Sequence, residues 1–260
     1  MKTLSSIHEK INNSKDLDFG DIFNRCIELF KKSWLQGFLL QLFAILLMAP
    51  VIIIFYIPLL MTMIANAEQG VNDSVTYNGI LAGFSLISIL FFFLALVVLS
   101  AVVICLQAAF YKMLKKLDHG QRVTTSDFFI LLKGTYLSKG LVIALSSVGI
   151  TVLAALLCYL PLIYVMVPIY FFVPFFGFNS DLRIGEIINA SFKLGNKKWL
   201  ITFGLVIVSS FLSSILGYLA CGIGILFTSA FIYHPIYFIY KDVIGFDSHE
   251  AVDDIGLIED

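Results

Sequence analysis

Four long stretches of the sequence contain no Asp, Glu, Lys or Arg, and they limit the chain to few kinds of fold. Together they cover more than half of the 260 residues: 33–67, 74–111, 140–180 and 199–240. A helix needs about 20 apolar residues to cross a bilayer, so each stretch can cross at least once. With 59% apolar and 13% charged residues, the chain carries more apolar surface than a soluble fold of this size buries. We therefore predict an all-α membrane protein.

The two C-terminal stretches are too long for one crossing. Each would reach about 60 Å as a single helix, twice the thickness of the hydrocarbon core. Turn-forming residues interrupt both of them: Pro161 follows Cys158 in one, and Gly217, Gly222 and Gly224 fall in the other. We therefore expect each of these stretches to fold back as a helical hairpin.

Each of the first two stretches allows either a single crossing or a broken pair of helices, and the charge of the loops distinguishes the two. The loop 68–78 has two acidic and no basic residues, whereas the loop 112–139 holds six basic residues. Because Lys and Arg favour the cytoplasmic side, the loops belong on opposite faces. Single crossings satisfy this, with the first kinked or bent at Pro50 or Pro58. Six transmembrane helices result: 35–66, 79–111, 138–159, 162–179, 199–217 and 223–241.

The basic residues agree with this topology. All 17 Lys and Arg of the chain fall on one face, which the positive-inside rule makes the cytoplasmic face. Both termini are then cytoplasmic. The predicted organisation is a polar N-terminal segment 1–17, a membrane domain 18–243 and an acidic tail 244–260.

Residues 20–35 are similar to residues 185–200. Seven of the 16 aligned positions are identical, and Trp34 and Trp199 occupy the same position in the two copies. A weaker copy, the second of the three along the chain, covers 126–139, and two predicted spans follow each copy. We interpret the pattern as three tandem units, each an amphipathic interfacial helix followed by a helical pair. The units are 18–117, 124–179 and 183–243.

The amphipathic segments have an obvious structural role and one alternative. In the first, apolar side chains share one face at helical spacing, and Asp18 is placed as its N-cap. Such helices anchor the chain in the membrane interface. The alternative is a site for lipid headgroups or a partner protein. Its candidate residues are Lys31, Lys32, Trp34, Lys197, Lys198 and Trp199.

Few polar side chains lie within the predicted spans. Apart from Lys139 and Lys241 at the ends of their spans, His234 is the only His, Asp, Glu, Lys or Arg there, and it precedes Pro235. We expect its ring to bond a backbone carbonyl that the proline leaves free; binding a ligand or shuttling a proton is the alternative. Gln41 and Gln107 are further candidates for a polar intramembrane site, with hydrogen bonding between helices as the default role. The same default applies to Ser209, Ser210, Ser213 and Ser214.

The sequence contains no recognisable catalytic motif. The four histidines are scattered over both tails, a loop and a span, so we predict no metal site and no cofactor. The absence of carboxylates from the spans argues against a proton-coupled transporter and a charged ion-channel filter. The net charge of −1 argues against a nucleic-acid partner.

The repeated Gly-acid-Ile pattern, followed by Leu, Lys and Trp and an apolar helix, resembles uncharacterised bacterial membrane proteins. Together with residues 190–194, 221–224 and 240–242, it is similar to YciC-like proteins and to the membrane domain preceding some glycerophosphodiester phosphodiesterases. The resemblance implies a six-helix protein of the bacterial inner membrane. The sequence has no counterpart of the phosphodiesterase domain, so no hydrolase activity is implied.

We therefore predict a non-enzymatic accessory or scaffold protein of the inner membrane, whose partners are membrane lipid and another membrane protein. The alternative is a transporter or flippase for a lipid or small apolar solute, since many transporters are built from repeats. That function needs a polar cavity reaching Gln41, Gln107 or His234. An intramembrane enzyme that uses His234 is a third hypothesis.

Overall fold

The computed structural model of the chain describes residues 3–68, 86–157, 159–220 and 222–246. Every regular element within these ranges is helical, as the sequence predicts. The α-helices are α1 (Leu4–Asn12), α2 (Phe19–Glu68), α3 (Leu86–Asp118), α4 (Gly134–Leu156), α5 (Tyr159–Tyr170), α6 (Phe172–Phe178), α7 (Ile184–Lys197), α8 (Trp199–Leu219), α9 (Gly224–Thr228) and α10 (Tyr233–Val243). Two 3₁₀ helices, Thr125–Phe129 and Ser229–Ile232, precede α4 and α10.

Among the described residues, five helices are long and apolar enough to cross a membrane, as expected of a multi-pass membrane protein. They are Phe19–Ile57, Leu90–Asp118, Gly134–Leu156, Leu160–Phe178 and Trp199–Leu219. The predicted sixth span, 223–241, is not one helix but α9, a 3₁₀ helix and α10 in succession. Pro235 lies in the first turn of α10, where a helix tolerates a residue without an N–H. Most of the loop 68–78 and of the tail 244–260 lies outside the described residues.

The first amphipathic segment and the first span form one continuous helix. The helix begins as predicted, because Asp18 Oδ1 accepts the backbone N–H of Asp21 at 2.7 Å. The 50-residue α2 then runs through Pro50 and Pro58 without interruption. The sequence between 19 and 49 contains no proline to end the helix. In the third copy, by contrast, α7 and α8 are separate helices that meet at Lys198.

The buried side chains gather at one end of the bundle, which we call the head. It contains α1, residues 19–40 of α2, residues 101–118 of α3, α6, α7 and α10. Its largest fully buried side chains are mainly aromatic: Phe110, Tyr111, Phe128, Phe171, Phe172, Phe175, Phe176, Tyr237, Phe238 and Tyr240. Beyond the head, most large apolar side chains are exposed, with exceptions such as Ile143 on α4 and Leu205 on α8, which are buried. The chain therefore has a packed core at one end and apolar outer surfaces suited to lipid at the other.

Both C-terminal stretches fold back on themselves, as the turn residues predict. Helix α4 packs on α5, and α8 packs on α9. The second hairpin is closed by glycines. Gly222 has a positive φ of 81°, which few other residues adopt. At Gly217 a Cβ would lie 2.5 Å from Ile225 Cγ1, so only glycine lets the two helices approach this closely.

Candidate functional site

His234 lies in the interior of the head and is fully buried. Because Pro235 has no N–H, the carbonyl of Phe231 lacks its usual helical donor. His234 Nδ1 lies 3.2 Å from this carbonyl oxygen and 3.3 Å from that of Ala230. Carbonyls only accept hydrogen bonds, so Nδ1 carries the proton and donates. The predicted bond from His234 to the carbonyl freed by the proline is confirmed.

The second ring nitrogen of His234 is also engaged. The Ser33 side chain in α2 places its hydroxyl 2.7 Å from His234 Nε2. With the proton on Nδ1, Nε2 accepts and the Ser33 hydroxyl donates. Aromatic rings close the site, with the centroids of Phe30, Phe110 and Phe231 5.6, 6.3 and 5.7 Å from that of the imidazole. Neither nitrogen is free to bind a substrate or a metal without breaking a bond to the protein.

The two glutamines predicted to share this site behave differently. Gln107 Nε2 donates to the hydroxyl of Tyr233 at 3.0 Å, next in sequence to His234. Phe110 contacts the rings of both Tyr233 and His234, so Gln107 and His234 belong to one packed region. Gln41 is partly exposed, and no hydrogen bond within the described ranges joins it to either residue. The polar groups brought together therefore bind one another rather than line a path.

A layer of charged side chains lies on the side of this cluster away from the apolar end. We call Arg25, Asp118, Lys241 and Asp242 the charged layer. Arg25 forms two hydrogen bonds to Asp242, at 3.1 and 2.5 Å. Lys241 Nζ lies 2.6 Å from Asp118 Oδ2. These two pairs tie the C-terminal end of α10 to α2 and α3, whereas the hydrogen bonds of His234 fix its N-terminal end.

We expect Asp118→Ala to lower the free energy of unfolding by about 1–3 kcal/mol. Asp118 Oδ2 accepts the Tyr237 hydroxyl at 2.8 Å and pairs with Lys241, so its loss leaves both donors without this partner. Asp118→Asn keeps an acceptor for Tyr237 and should cost less. Thermal unfolding in a mild detergent measures the difference.

The matched control for Asp118 is Asp21→Ala. Asp21 pairs with Arg25 at 2.9 Å, but its side chain is 64% exposed, and exposed pairs contribute little. Equal effects of Asp118→Ala and Asp21→Ala would contradict the role given to Asp118.

The two predicted Lys-Lys-Trp sets occupy different surroundings. Lys31 and Lys32 are exposed and form no ion pair within the part of the chain described here. Trp34 is 47% exposed and packs beside Phe227, with ring centroids 6.2 Å apart. After Phe19 at its start, α2 next exposes large apolar side chains at Trp34 and Leu35. This first set therefore has the character of a membrane-interface site.

The second set is used within the protein. Lys197 donates to the carbonyl of Asn12, and Lys198 donates to that of Lys15 at 2.6 Å. Burial lowers the pKa of the Lys198 ammonium below its ordinary value, and nearby Asp16 opposes that shift. Trp199 Nε1 donates to the carbonyl of Tyr164 at 3.1 Å. The two lysine bonds hold the end of α1 and the segment after it against the junction of α7 and α8, and the Trp199 bond joins α8 to α5.

His234, Gln107 and the charged layer are engaged in hydrogen bonds, ion pairs and ring contacts within the protein. Within the described ranges, no three His, Cys, Asp or Glu residues come close enough together to hold a metal ion. No protein-family model, curated protein or solved structure matches the chain. The resemblance to YciC-like membrane proteins therefore stays a prediction, and the contacts themselves carry the functional argument.

Sequence reasoning missed the partners of the candidate residues. Ser33 and Tyr233 complete the polar cluster, but the residues that each pair with lie more than 100 positions away. One usable signal was present: Ser33 precedes Trp34 where the repeat has Lys198 before Trp199. Both residues are buried, so the position before the tryptophan faces inward in the two copies. No comparable signal identified Asp118 as the partner of Lys241.

Proposed function

We propose that the protein is a non-enzymatic accessory or scaffold protein of the bacterial inner membrane that binds lipid and another membrane protein. The supporting observation is the unpacked apolar surface of α2 and α3 beyond the head. Ile54 is 65% exposed, and Leu90 and Phe91 are 70% and 63% exposed. Within a membrane such surfaces contact lipid chains or pack against helices of a second protein.

The length of α2 favours a protein partner on this surface. Phe38 stacks on Phe227 of α9, with ring centroids 4.4 Å apart, and α9 begins only three residues earlier. Helix α2 continues for 30 residues beyond Phe38. Phe43 still packs on Phe128 and Phe129, with ring centroids 5.5 and 5.6 Å apart. Farther out, the described ring contact of α2 is with α3, where Phe55 meets Phe92 at 4.6 Å. A two-helix extension of this kind leaves long faces to which another helix can dock.

The alternative, a transporter or flippase for a lipid or small apolar solute, has less support from the predicted residues. A path through the head would require the polar groups of His234 or Gln107 to face an opening. His234 bonds Ser33 and Phe231, and Gln107 bonds Tyr233. Interhelical bonding of this kind stabilises a bundle. The same engagement of both ring nitrogens weakens the hypothesis of an enzyme that uses His234.

A capping contact shared by two of the three copies supports the proposed three-unit repeat. The acidic residue of each copy is the third residue of its helix. In the second copy Asp127 accepts the backbone N–H of Thr124 at 2.7 Å, and in the third Glu186 accepts that of Arg183 at 2.8 Å. The apolar residue after each acid, Ile22, Phe128 or Ile187, is buried. We further propose, from the distribution of Lys and Arg, that the head and both termini are cytoplasmic.

We expect photo-crosslinking residues at Ile54 and Leu90 to give adducts with one membrane protein in native membranes. The matched control is Leu153 on α4, which is apolar and 63% exposed, close to the value at Ile54. It should give lipid adducts alone. The adducts are identified by mass spectrometry, and Ile54→Asn should reduce co-purification of the same protein several-fold in a mild detergent.

Two results would overturn the scaffold proposal. One is lipid adducts alone at Ile54, Leu90 and Leu153, with the protein purifying by itself. The other is translocation of a lipid or solute by the purified protein in liposomes, which would place the transporter hypothesis first.

A further inference from the structure

A cavity of about 220 Å³ lies between α8 and the segment formed by α9 and the following 3₁₀ helix. This volume far exceeds the roughly 10–15 Å³ that one water needs. Ser214 and Ile225 belong to its lining and are exposed on the outer surface, so the cavity is open to the outside of the bundle. Seven residues line it: Ser210, Ser213, Ser214, Ile225, Thr228, Ser229 and Ile232.

Two of the hydroxyl residues hold the walls of the cavity together. Ser213 Oγ donates to the carbonyl of Thr228 at 2.9 Å, and Thr228 Oγ1 lies 2.8 Å from the carbonyl of Ser213. This reciprocal pair fixes the spacing of α8 and α9. The cavity is therefore built into the hairpin.

The other three hydroxyls of the lining lack partners within the described part of the chain. Ser229 Oγ is buried and unbonded, and among the described residues the side chains of Ser210 and Ser214 have no hydrogen-bond partner. The contrast with α4 is informative, because Ser146 and Ser147 donate to the carbonyls four residues before them, at 2.7 and 2.8 Å. A serine in an apolar helix can donate its hydroxyl to a backbone carbonyl of the same helix in this way. The cavity serines do not.

The lining determines what kind of molecule the cavity accepts. An unbonded hydroxyl in an apolar medium is costly, so a bound molecule must supply donors and acceptors. No lining residue is charged, and a phosphate or ammonium group would lack a counter-charge there. A hydroxyl group both donates and accepts, an ester oxygen accepts, and both are neutral, so they match serine hydroxyls.

We propose that this cavity binds the glycerol hydroxyl and ester oxygens of a neutral, diacylglycerol-type lipid. The three unbonded serine hydroxyls contact the polar part. The acyl chains lie along the outer face of α8, where Phe211 is 67% and Ile215 41% exposed. This site goes beyond the scaffold function and is independent of it, because it lies on α8 and α9 and uses neither α3 nor the outer half of α2.

Native mass spectrometry of the full chain, mixed with dioleoylglycerol in a mild detergent, tests the proposal. We expect one retained lipid per chain, with phosphatidylglycerol and free glycerol retained far less. The variant S210A/S214A/S229A should lower retention by about tenfold or more, since each hydrogen bond contributes a few-fold. Ser214→Leu should block the opening and reduce retention as well.

The control variant is S146A/S147A, which removes two hydroxyls already bonded within α4 and should retain the lipid like the unaltered chain. The cavity variants leave the Ser213–Thr228 pair intact, so their melting temperatures should stay near that of the unaltered chain. Equal retention by S210A/S214A/S229A and S146A/S147A would overturn the proposal. Preference for phosphatidylglycerol would show that the bound lipid is not of the neutral class. Retention of free glycerol in place of dioleoylglycerol would show that the cavity does not bind a lipid.

Discussion

Replacement of His234 by alanine is expected to lower the free energy of unfolding by about 3–5 kcal/mol. The ring is fully buried, so its removal leaves a cavity among Phe30, Phe110 and Phe231. The change also deprives the Ser33 hydroxyl and the carbonyl of Phe231 of their partner. Unfolding of the purified protein in mixed detergent micelles, followed by tryptophan fluorescence, measures the loss.

Two further variants separate the hydrogen bonds of His234 from its packing. Ser33→Ala removes one bond and little volume, and we expect a loss of about 1–3 kcal/mol. His119→Ala is the control, since this histidine is exposed and its replacement should change stability little. If the His234→Ala and His119→Ala variants have the same free energy of unfolding, the polar cluster around His234 does not stabilise the head.

Replacement of Gly195 by valine should have an effect of similar size. A Cβ at this position would lie 2.8 Å from Pro168 Cα and 3.0 Å from Pro168 N. Both are backbone atoms, which cannot move aside as the end of a side chain can. We expect α5 and α7 to separate at this crossing, at a cost of about 2–4 kcal/mol. Gly195→Ala should lower the free energy of unfolding as well, but by less.

A glycine elsewhere provides the comparison for Gly195. Gly149 lies inside α4, where a Cβ would meet nothing within 4 Å. Alanine favours a helix more than glycine by up to about 1 kcal/mol, so Gly149→Ala should be neutral or stabilising. A harmless Gly195→Val would mean that the close contact with Pro168 is not needed. Melting temperatures of the three variants in one detergent decide the matter.

The helical architecture could be predicted from the sequence because it follows from local and compositional rules. Stretches without charge mark where helices can enter lipid, and residues such as Gly217 and Gly222 mark where they fold back. The N-cap at Asp18 and the bond of His234 to a freed carbonyl are local as well. Each depends on neighbours only a few residues away.

The remaining features depend on residues that are distant in sequence. The Ser33–His234 bond joins positions 201 apart, and the Arg25–Asp242 pair joins positions 217 apart. No local pattern selects such partners. The continuity of α2 was missed for a different reason. An amphipathic stretch and an apolar stretch look like two elements, but with no proline or turn between Lys32 and Trp34 the backbone bonds simply continue.

The unbroken course of α2 also has a mechanical consequence. Fifty residues make a rod about 75 Å long, and helices without a hinge bend only gently. Bilayers that differ in thickness change the tilt of the helices that cross them. Because Arg25, Ser33 and Leu46 all lie in the part of α2 before its first proline, Pro50, a change of tilt along this part displaces Arg25 and Ser33 against Asp242 and His234. Strain from the surrounding lipid is thereby transmitted to the bonds that hold α10 in place.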